Sequence, residues 1–95
     1  MTISSRHYRE LYELIASTDS AKEAELLLKD LATPQEIEDF AERWQIIQQL
    51  HKGIPQRQIA DSLGVSISKV TRGSNTLQWG SGGFLHFLSK AKKSK

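Results

Sequence analysis

The stretch QRQIADSLGVSISKVTRGSNTLQ, residues 56–78, decides the fold of this chain. It predicts two short helices joined by a tight turn at Gly64, because glycine readily adopts the positive φ at which helices often end. Ile59 and Leu63 lie on one face of the first helix, and further apolar residues recur at helical spacing in the second. Ser66 is placed to cap the second helix by accepting a hydrogen bond from a free amide.

This arrangement is the helix-turn-helix pattern, at about residues 56–78. It combines the small Ala60 in the first helix, the glycine turn and β-branched residues in the second helix. In such motifs the second helix lies in the DNA major groove and its first turns meet base edges. A plain helical hairpin with a solvated face fits the same spacing. The outward-facing residues of the second helix are predicted to be Ser66, Ser68, Lys69 and Thr71.

The rest of the chain also predicts helices. No strand-like alternation or repeat is present, so we expect an all-α fold of about six helices in a single domain, residues 1–95. A Gly-rich segment, residues 80–83, precedes the last helix. The helices outside the motif are predicted at about Ser5–Ser17, from the Ser20–Glu23 capping box to Leu31, from Pro34 to about Lys52, and from Phe84 onward.

The third helix has the clearest start, because Thr33 caps it, Pro34 takes its first position and Glu36 reaches back. An apolar stripe with spacings of three and four predicts that this helix is the scaffold of the core, with Trp44 buried. The acids near its start are interpreted as a solvated face. The stripe comprises Ile37, Phe40, Ala41, Trp44, Ile47 and Leu50, and the acids are Glu36, Glu38, Asp39 and Glu42.

Charge is distributed unevenly along the chain. Residues 1–61 contain seven Lys or Arg and eleven Asp or Glu, whereas residues 62–95 contain six Lys or Arg and no Asp or Glu. An acid-free basic segment beside a helix-turn-helix is typical of proteins that neutralise the phosphates of DNA. A solvated basic tail is the simpler alternative for Lys90, Lys92, Lys93 and Lys95.

Several classes of function are not expected. Without cysteine the chain has no disulfide or thiolate metal site, which fits a reducing cytoplasm. No apolar run approaches the ~20 residues that span a bilayer, and the first residues lack the apolar core of a secretory signal. His7, His51 and His86 lie in separate predicted helices without metal-ligand spacing. No catalytic constellation is visible, so we expect a cytoplasmic protein that is not an enzyme and needs no metal.

A more specific signal is the sequence TRGSN at residues 71–75, which follows Gln56-Arg57 and the Gly64 turn. Together with Arg43 and Thr33-Pro34 upstream, it resembles the bacterial Trp repressor family over about residues 27–78. The resemblance implies an all-helical, intertwined homodimer that represses transcription when L-tryptophan binds as a corepressor. It also implies double-stranded operator DNA as partner and genes of tryptophan biosynthesis or transport as targets.

The family also implies the residues of the binding sites. Arg43 and Arg72 would sandwich the indole ring, which is sensible because guanidinium groups stack on aromatic faces. Arg72 would also meet the ligand carboxylate, and Gly73 would leave room for the ring. Backbone carbonyls of the other subunit near Leu31, Ala32 and Thr33 would receive the ammonium group, with the hydroxyls of Thr33 and Thr76 as further contacts. DNA contacts would come from Gln56, Arg57, Ile67, Ser68, Lys69, Thr71, Gly73 and Asn75.

The chain departs from the family pattern around the motif. The connection at residues 52–56 is one residue shorter, and Pro55 stands where a serine commonly caps the helix. Ala60 replaces a lysine, and Lys69 stands where the family often has threonine. Two alternatives to a tryptophan-activated repressor remain. One is a regulator of the same fold that responds to no ligand or to another ligand, and the other is a helical module that binds a protein partner.

Overall fold

The computed structural model describes residues 2–93, and the side chains of residues 2–90. No strand occurs in this part of the chain, so the predicted all-α fold of six helices is confirmed. The basic side chains beyond Lys90 lie outside the described residues. The helices are α1 Ser5–Ala16, α2 Ala21–Leu31, α3 Pro34–His51, α4 Gln56–Leu63, α5 Ile67–Trp79 and α6 Gly83–Lys93.

The chain divides into two compact units, and the division falls inside α3, between Ile37 and Glu38. The first unit contains α1 and α2, neither of which has a buried residue. Tyr12 is 62% exposed and Leu26 is 65% exposed. These two helices therefore carry apolar side chains that the described chain itself does not cover.

The helix starts of the first unit are fixed by local hydrogen bonds. The Glu23 amide donates to Ser20 Oγ at 3.1 Å, as predicted, but the Glu23 carboxylate accepts from the amide of Asp19 rather than from Ser20. At the start of α3 the capping box is complete. The Glu36 amide donates to Thr33 Oγ1 at 3.1 Å, and the Thr33 amide donates to Glu36 Oε1 at 2.8 Å.

The core of the second unit lies where α3, α4 and α5 meet. Its buried members come from all three helices, and partly buried side chains from the ends of α3 and α4 and from the two intervening turns complete it. Burying one aliphatic side chain of this kind contributes ~1.5–3 kcal/mol, so this cluster accounts for the position of α5. The cluster consists of Ile46, Ile59, Ala60 and Val70, with Leu50, Ile54, Leu63 and Val65 packed against it.

The turn between α4 and α5 follows the prediction. Gly64 has φ +67° and ψ +34°, and the Val65 amide donates to the carbonyl of Ala60. Ser66 Oγ accepts from the Lys69 amide at 3.2 Å and so caps α5. Pro55 precedes α4 without a side-chain cap, and its carbonyl accepts from the Ile59 amide.

Two expectations for α3 were wrong in detail. Trp44 is partly rather than fully buried, and its ring stacks on Phe84 of α6 at 6.1 Å between centroids. Phe40 is exposed, because the apolar stripe of α3 is wider than the surface that α4 and α5 cover. None of the helices within residues 2–93 has the length and apolar character that crossing a membrane requires.

Candidate functional site

A cavity of about 330 Å³ is lined by facing stripes of α3 and α5 and by Phe84 of α6. Its wall residues recur at intervals of three or four in each helix, which places them on one face of each. The α3 stripe consists of Asp39, Glu42, Arg43 and Ile46, and the α5 stripe consists of Lys69, Arg72, Gly73 and Thr76. The cavity volume is at the small end of the ~300–1,000 Å³ typical of small-molecule sites.

Both signs of charge meet in this cavity. Asp39 and Glu42 contribute carboxylates from α3, whereas Lys69 and Arg72 contribute cations from α5. Lys69 Nζ donates to Glu42 Oε1 at 2.8 Å, so one pair of these charges is joined directly. A cavity that offers both cations and carboxylates suits a ligand that is itself zwitterionic.

The two arginines predicted to bind the ligand both line the cavity. The guanidinium carbon of Arg43 lies 5.9 Å from the centroid of the Phe40 ring, so this side chain already stacks on an aromatic face. The Arg72 carbonyl accepts from the Thr76 hydroxyl at 3.1 Å. The structure therefore brings Arg43, Arg72, Gly73 and Thr76, four residues of the predicted ligand set, to one cavity.

Gly73 is buried where α5 crosses α3. A Cβ at this position would lie 3.0 Å from Ile46 Cγ2 and 3.5 Å from Leu50 Cδ1. A side chain here would require Ile46 to shift by a few tenths of an ångström, so close helix packing explains the glycine at least as well as space for a ligand ring does. Its burial leaves Gly73 little surface for the DNA contact that the family also implies.

The remaining residues of the predicted ligand set, Leu31, Ala32 and Thr33, belong to the first unit. They form the junction of α2 and α3, where Leu31 and Thr33 are exposed and Ala32 is partly buried. The Thr33 hydroxyl accepts from Glu36, and the Thr33 carbonyl accepts from the Ile37 amide at 3.0 Å. Within the described chain these polar atoms already stabilise the start of α3.

Most of the residues predicted to contact DNA are exposed on α4 and α5. Gln56 is partly buried, because its Oε1 accepts from the Thr71 hydroxyl at 2.9 Å and so links the first turn of α4 to α5. The exposed members of the set are Arg57, Ile67, Ser68, Lys69, Thr71 and Asn75. The exposed residues of the predicted DNA-binding set thus present polar, basic and apolar groups to solvent around the motif, whereas Gly73 is buried.

Four residues of the cavity wall were not predicted from the sequence as site residues: Asp39, Glu42, Ile46 and Phe84. Asp39 and Glu42 were interpreted as part of a solvated face, but both are partly buried. Asp39 lies four residues before Arg43, and Glu42 lies four residues before Ile46. This spacing was a signal that one face of α3 carries all of them. Phe84 had no such signal, because its place depends on how α6 packs.

The chain matches known proteins over most of its length. Residues 6–92 match the family model described as Trp repressor protein. A Trp operon repressor homolog of Vibrio parahaemolyticus serotype O3:K6 is 43% identical over 74 residues, which cover 77% of this chain and 72% of the relative. A homolog with the same name from Xylella fastidiosa strain M23 is 38% identical over 72 residues, 75% of this chain and 78% of the relative.

A third relative, the Trp operon repressor homolog of Vibrio cholerae serotype O1, is 37% identical over 76 residues, 79% of this chain and 74% of its own length. The fold and these matches define a transcriptional repressor, a regulator and not an enzyme. This chain belongs to the Trp repressor family. The resemblance seen in the sequence is thereby confirmed.

Proposed function

We propose that this chain forms a homodimer that represses transcription by binding double-stranded operator DNA, with L-tryptophan as its corepressor. The observation that carries the proposal is the cavity in which α3 and α5 present Arg43 and Arg72 together. The relatives are named as Trp operon repressor homologs. The targets that we propose for this chain are genes of tryptophan biosynthesis or transport. A repressor of bacterial chromosomal genes works in the cytoplasm, and we assign the protein to that compartment.

The chemistry of the cavity supports an aromatic amino acid as its ligand. A guanidinium group over an aromatic face contributes ~0.5–2 kcal/mol, and more as water is excluded. Arg43 already stacks on Phe40, so an incoming indole ring would replace or extend a contact that this side chain makes. Arg72 supplies a planar pair of donors for the ligand carboxylate.

The exposed apolar surface of α1 and α2 supports dimerisation. Neither helix has a buried residue in the described chain, although both carry large apolar side chains. Exposed apolar area of this kind is stabilised when a partner covers it, at ~25 cal/mol per Å². A second copy of the chain is the partner that family membership favours, and a two-fold dimer presents two α5 helices to two DNA half-sites.

The exposed residues of α4 and α5 support DNA as the macromolecular partner. Arg57 and Lys69 supply positive charge for phosphates, and Asn75 and Thr71 supply groups suited to hydrogen bonding. The cavity wall and this surface share α5. A ligand that fills the cavity would therefore fix α5 against α3, and it promotes repression only if it binds the DNA-competent arrangement better than the other.

The direct test is a DNA-binding titration with L-tryptophan at fixed salt. The DNA probe is a duplex enriched from a random pool by the wild-type protein in the presence of L-tryptophan. We expect tryptophan to tighten binding of this duplex by about 5- to 150-fold, the usual range of allosteric coupling. Replacing Arg72 by alanine should abolish both tryptophan binding in calorimetry and the effect of tryptophan on DNA affinity.

Two variants serve as controls for this test. Arg57→Ala should weaken DNA binding but leave tryptophan binding intact, because Arg57 lies outside the cavity. Arg6→Ala removes a cation from an exposed position of α1, where Arg6 pairs with Glu10, and should change neither affinity. Equal DNA affinity with and without tryptophan would reject the corepressor role and favour a ligand-independent regulator. Absence of any salt-dependent DNA binding would favour a protein-interaction module.

A further inference from the structure

An ion pair joins the first turn of α5 to the middle of α3. Lys69 Nζ donates to Glu42 Oε1 at 2.8 Å, across 27 positions of sequence. Among the residues that the structure describes, three other ion pairs each connect side chains four residues apart within one helix, so they do not join one helix to another. The Lys69–Glu42 pair instead ties the proposed DNA-reading helix to the helix that forms the opposite wall of the cavity.

The surroundings of the pair favour the charged form of Lys69 and its contact with Glu42. The hydrogen bond that Lys69 donates to Glu42, followed by the negative charge of Glu42, raises the pKa of Lys69 above its usual value, and the charges of Asp39 and Glu38 act in the same direction. The Glu42 side chain is 26% exposed, and the Lys69 side chain is 53% exposed. Lys69 is also the third residue of α5, at the positive end of the helix dipole, where a nearby carboxylate offsets an unfavourable cation.

We propose that Glu42 competes with DNA phosphate for Lys69 and thereby lowers the affinity of this protein for DNA. The inference rests on the proposed DNA-binding function and adds a residue that opposes it. The ammonium group of lysine is a single point charge on a flexible stem, so it cannot neutralise Glu42 and a phosphate in full at the same time. When Lys69 turns to a phosphate, the carboxylate of Glu42 is left without this partner on α5.

The predicted consequence concerns both the affinity and its salt dependence. Removing the competitor frees Lys69, so Glu42→Gln should tighten DNA binding by about two- to five-fold, as expected from the strength of partly exposed ion pairs. Each additional phosphate contact steepens the slope of log affinity against log salt by about 0.9. The Glu42→Gln variant should therefore show a steeper slope by up to that amount.

The test measures the affinity of full-length variants for the enriched duplex over a series of KCl concentrations, with L-tryptophan present throughout. Glu38→Gln is the matched control, since it removes the same charge one turn earlier on α3 and leaves the Lys69–Glu42 hydrogen bond in place. A second comparison introduces Glu42→Gln into a Lys69→Gln background. There the change should no longer tighten binding. Circular dichroism melts establish that each variant is folded.

The outcomes separate this inference from the proposed function. Tighter binding of Glu42→Gln that exceeds the effect of Glu38→Gln and depends on Lys69 supports the competition. Equal tightening by both variants, or tightening that persists without Lys69, overturns it in favour of a general charge effect. Weaker binding of Glu42→Gln also overturns it, because the pair would then be organising α5 for DNA. If the wild-type protein enriches no duplex at all, the proposed function itself fails.

Discussion

Replacing Gly64 by alanine isolates the energetic contribution of the turn that positions α5. Gly64 has φ +67°, and a Cβ built at this position meets no atom within 4 Å. The substitution therefore introduces no clash, and its cost comes only from the backbone conformation. The Val65 amide that donates to the carbonyl of Ala60 depends on the same turn, so a change in the turn also perturbs the end of α4.

The size of the effect follows from two opposing terms. An L-residue in the left-handed region costs ~1–2 kcal/mol. Alanine also lowers the conformational entropy of the unfolded chain, which stabilises the folded protein by ~0.4–1 kcal/mol. We therefore expect Gly64→Ala to lower the free energy of unfolding by about 1 kcal/mol, which corresponds to a melting temperature ~4–8 °C lower for a chain of this size. Asparagine adopts the left-handed conformation more readily than alanine, so Gly64→Asn should lower the free energy of unfolding by less than Gly64→Ala.

Thermal unfolding followed by circular dichroism measures this effect, at one fixed protein concentration because a dimer's melting temperature depends on concentration. The control is Gly83→Ala at the start of α6, where a Cβ also meets open space but φ is not positive. The expected order of melting temperatures is wild type, then Gly64→Asn, then Gly64→Ala. A Gly64→Ala protein that melts with the wild type and with Gly83→Ala would refute the reasoning.

Three further predictions follow from other contacts. Gly73→Val should lower the free energy of unfolding by ~1–3 kcal/mol, because its Cβ would lie 3.0 Å from Ile46 Cγ2; an unchanged urea midpoint would contradict the close packing. Thr33→Ala should lower the free energy of unfolding by ~0.5–2 kcal/mol. Thr33→Ser should lower it much less, since the serine hydroxyl can still accept from the Glu36 amide; equal losses of stability in urea unfolding would argue against the cap. Because Glu42 raises the pKa of Lys69 above 10.5, the pair's stabilisation is fully present below pH 10.5 and is lost as the pH rises through the higher folded-state pKa. The stability difference between the wild type and Lys69→Gln should shrink over that range, and a constant difference would be inconsistent with the ion pair.

Local features of the structure were accessible from the sequence because each depends on residues at most five positions apart. Thr33 and Glu36 cap α3 through hydrogen bonds that span three residues. Ser66 caps α5 in the same way, and the positive φ of Gly64 is a property of that residue and its immediate neighbours. The TRGSN sequence at residues 71–75 likewise indicated the family that the matches confirm.

The tertiary structure alone decided how the charged residues of α3 are used. Asp39 and Glu42 looked like a solvated face, yet they line a cavity because α5 packs across that side of α3. Lys69 is exposed, as the sequence predicted, but nothing in the sequence indicated that its ammonium group contacts Glu42, 27 positions earlier. Such a contact depends on the crossing of two helices around a shared apolar core, and no spacing within either helix specifies that crossing.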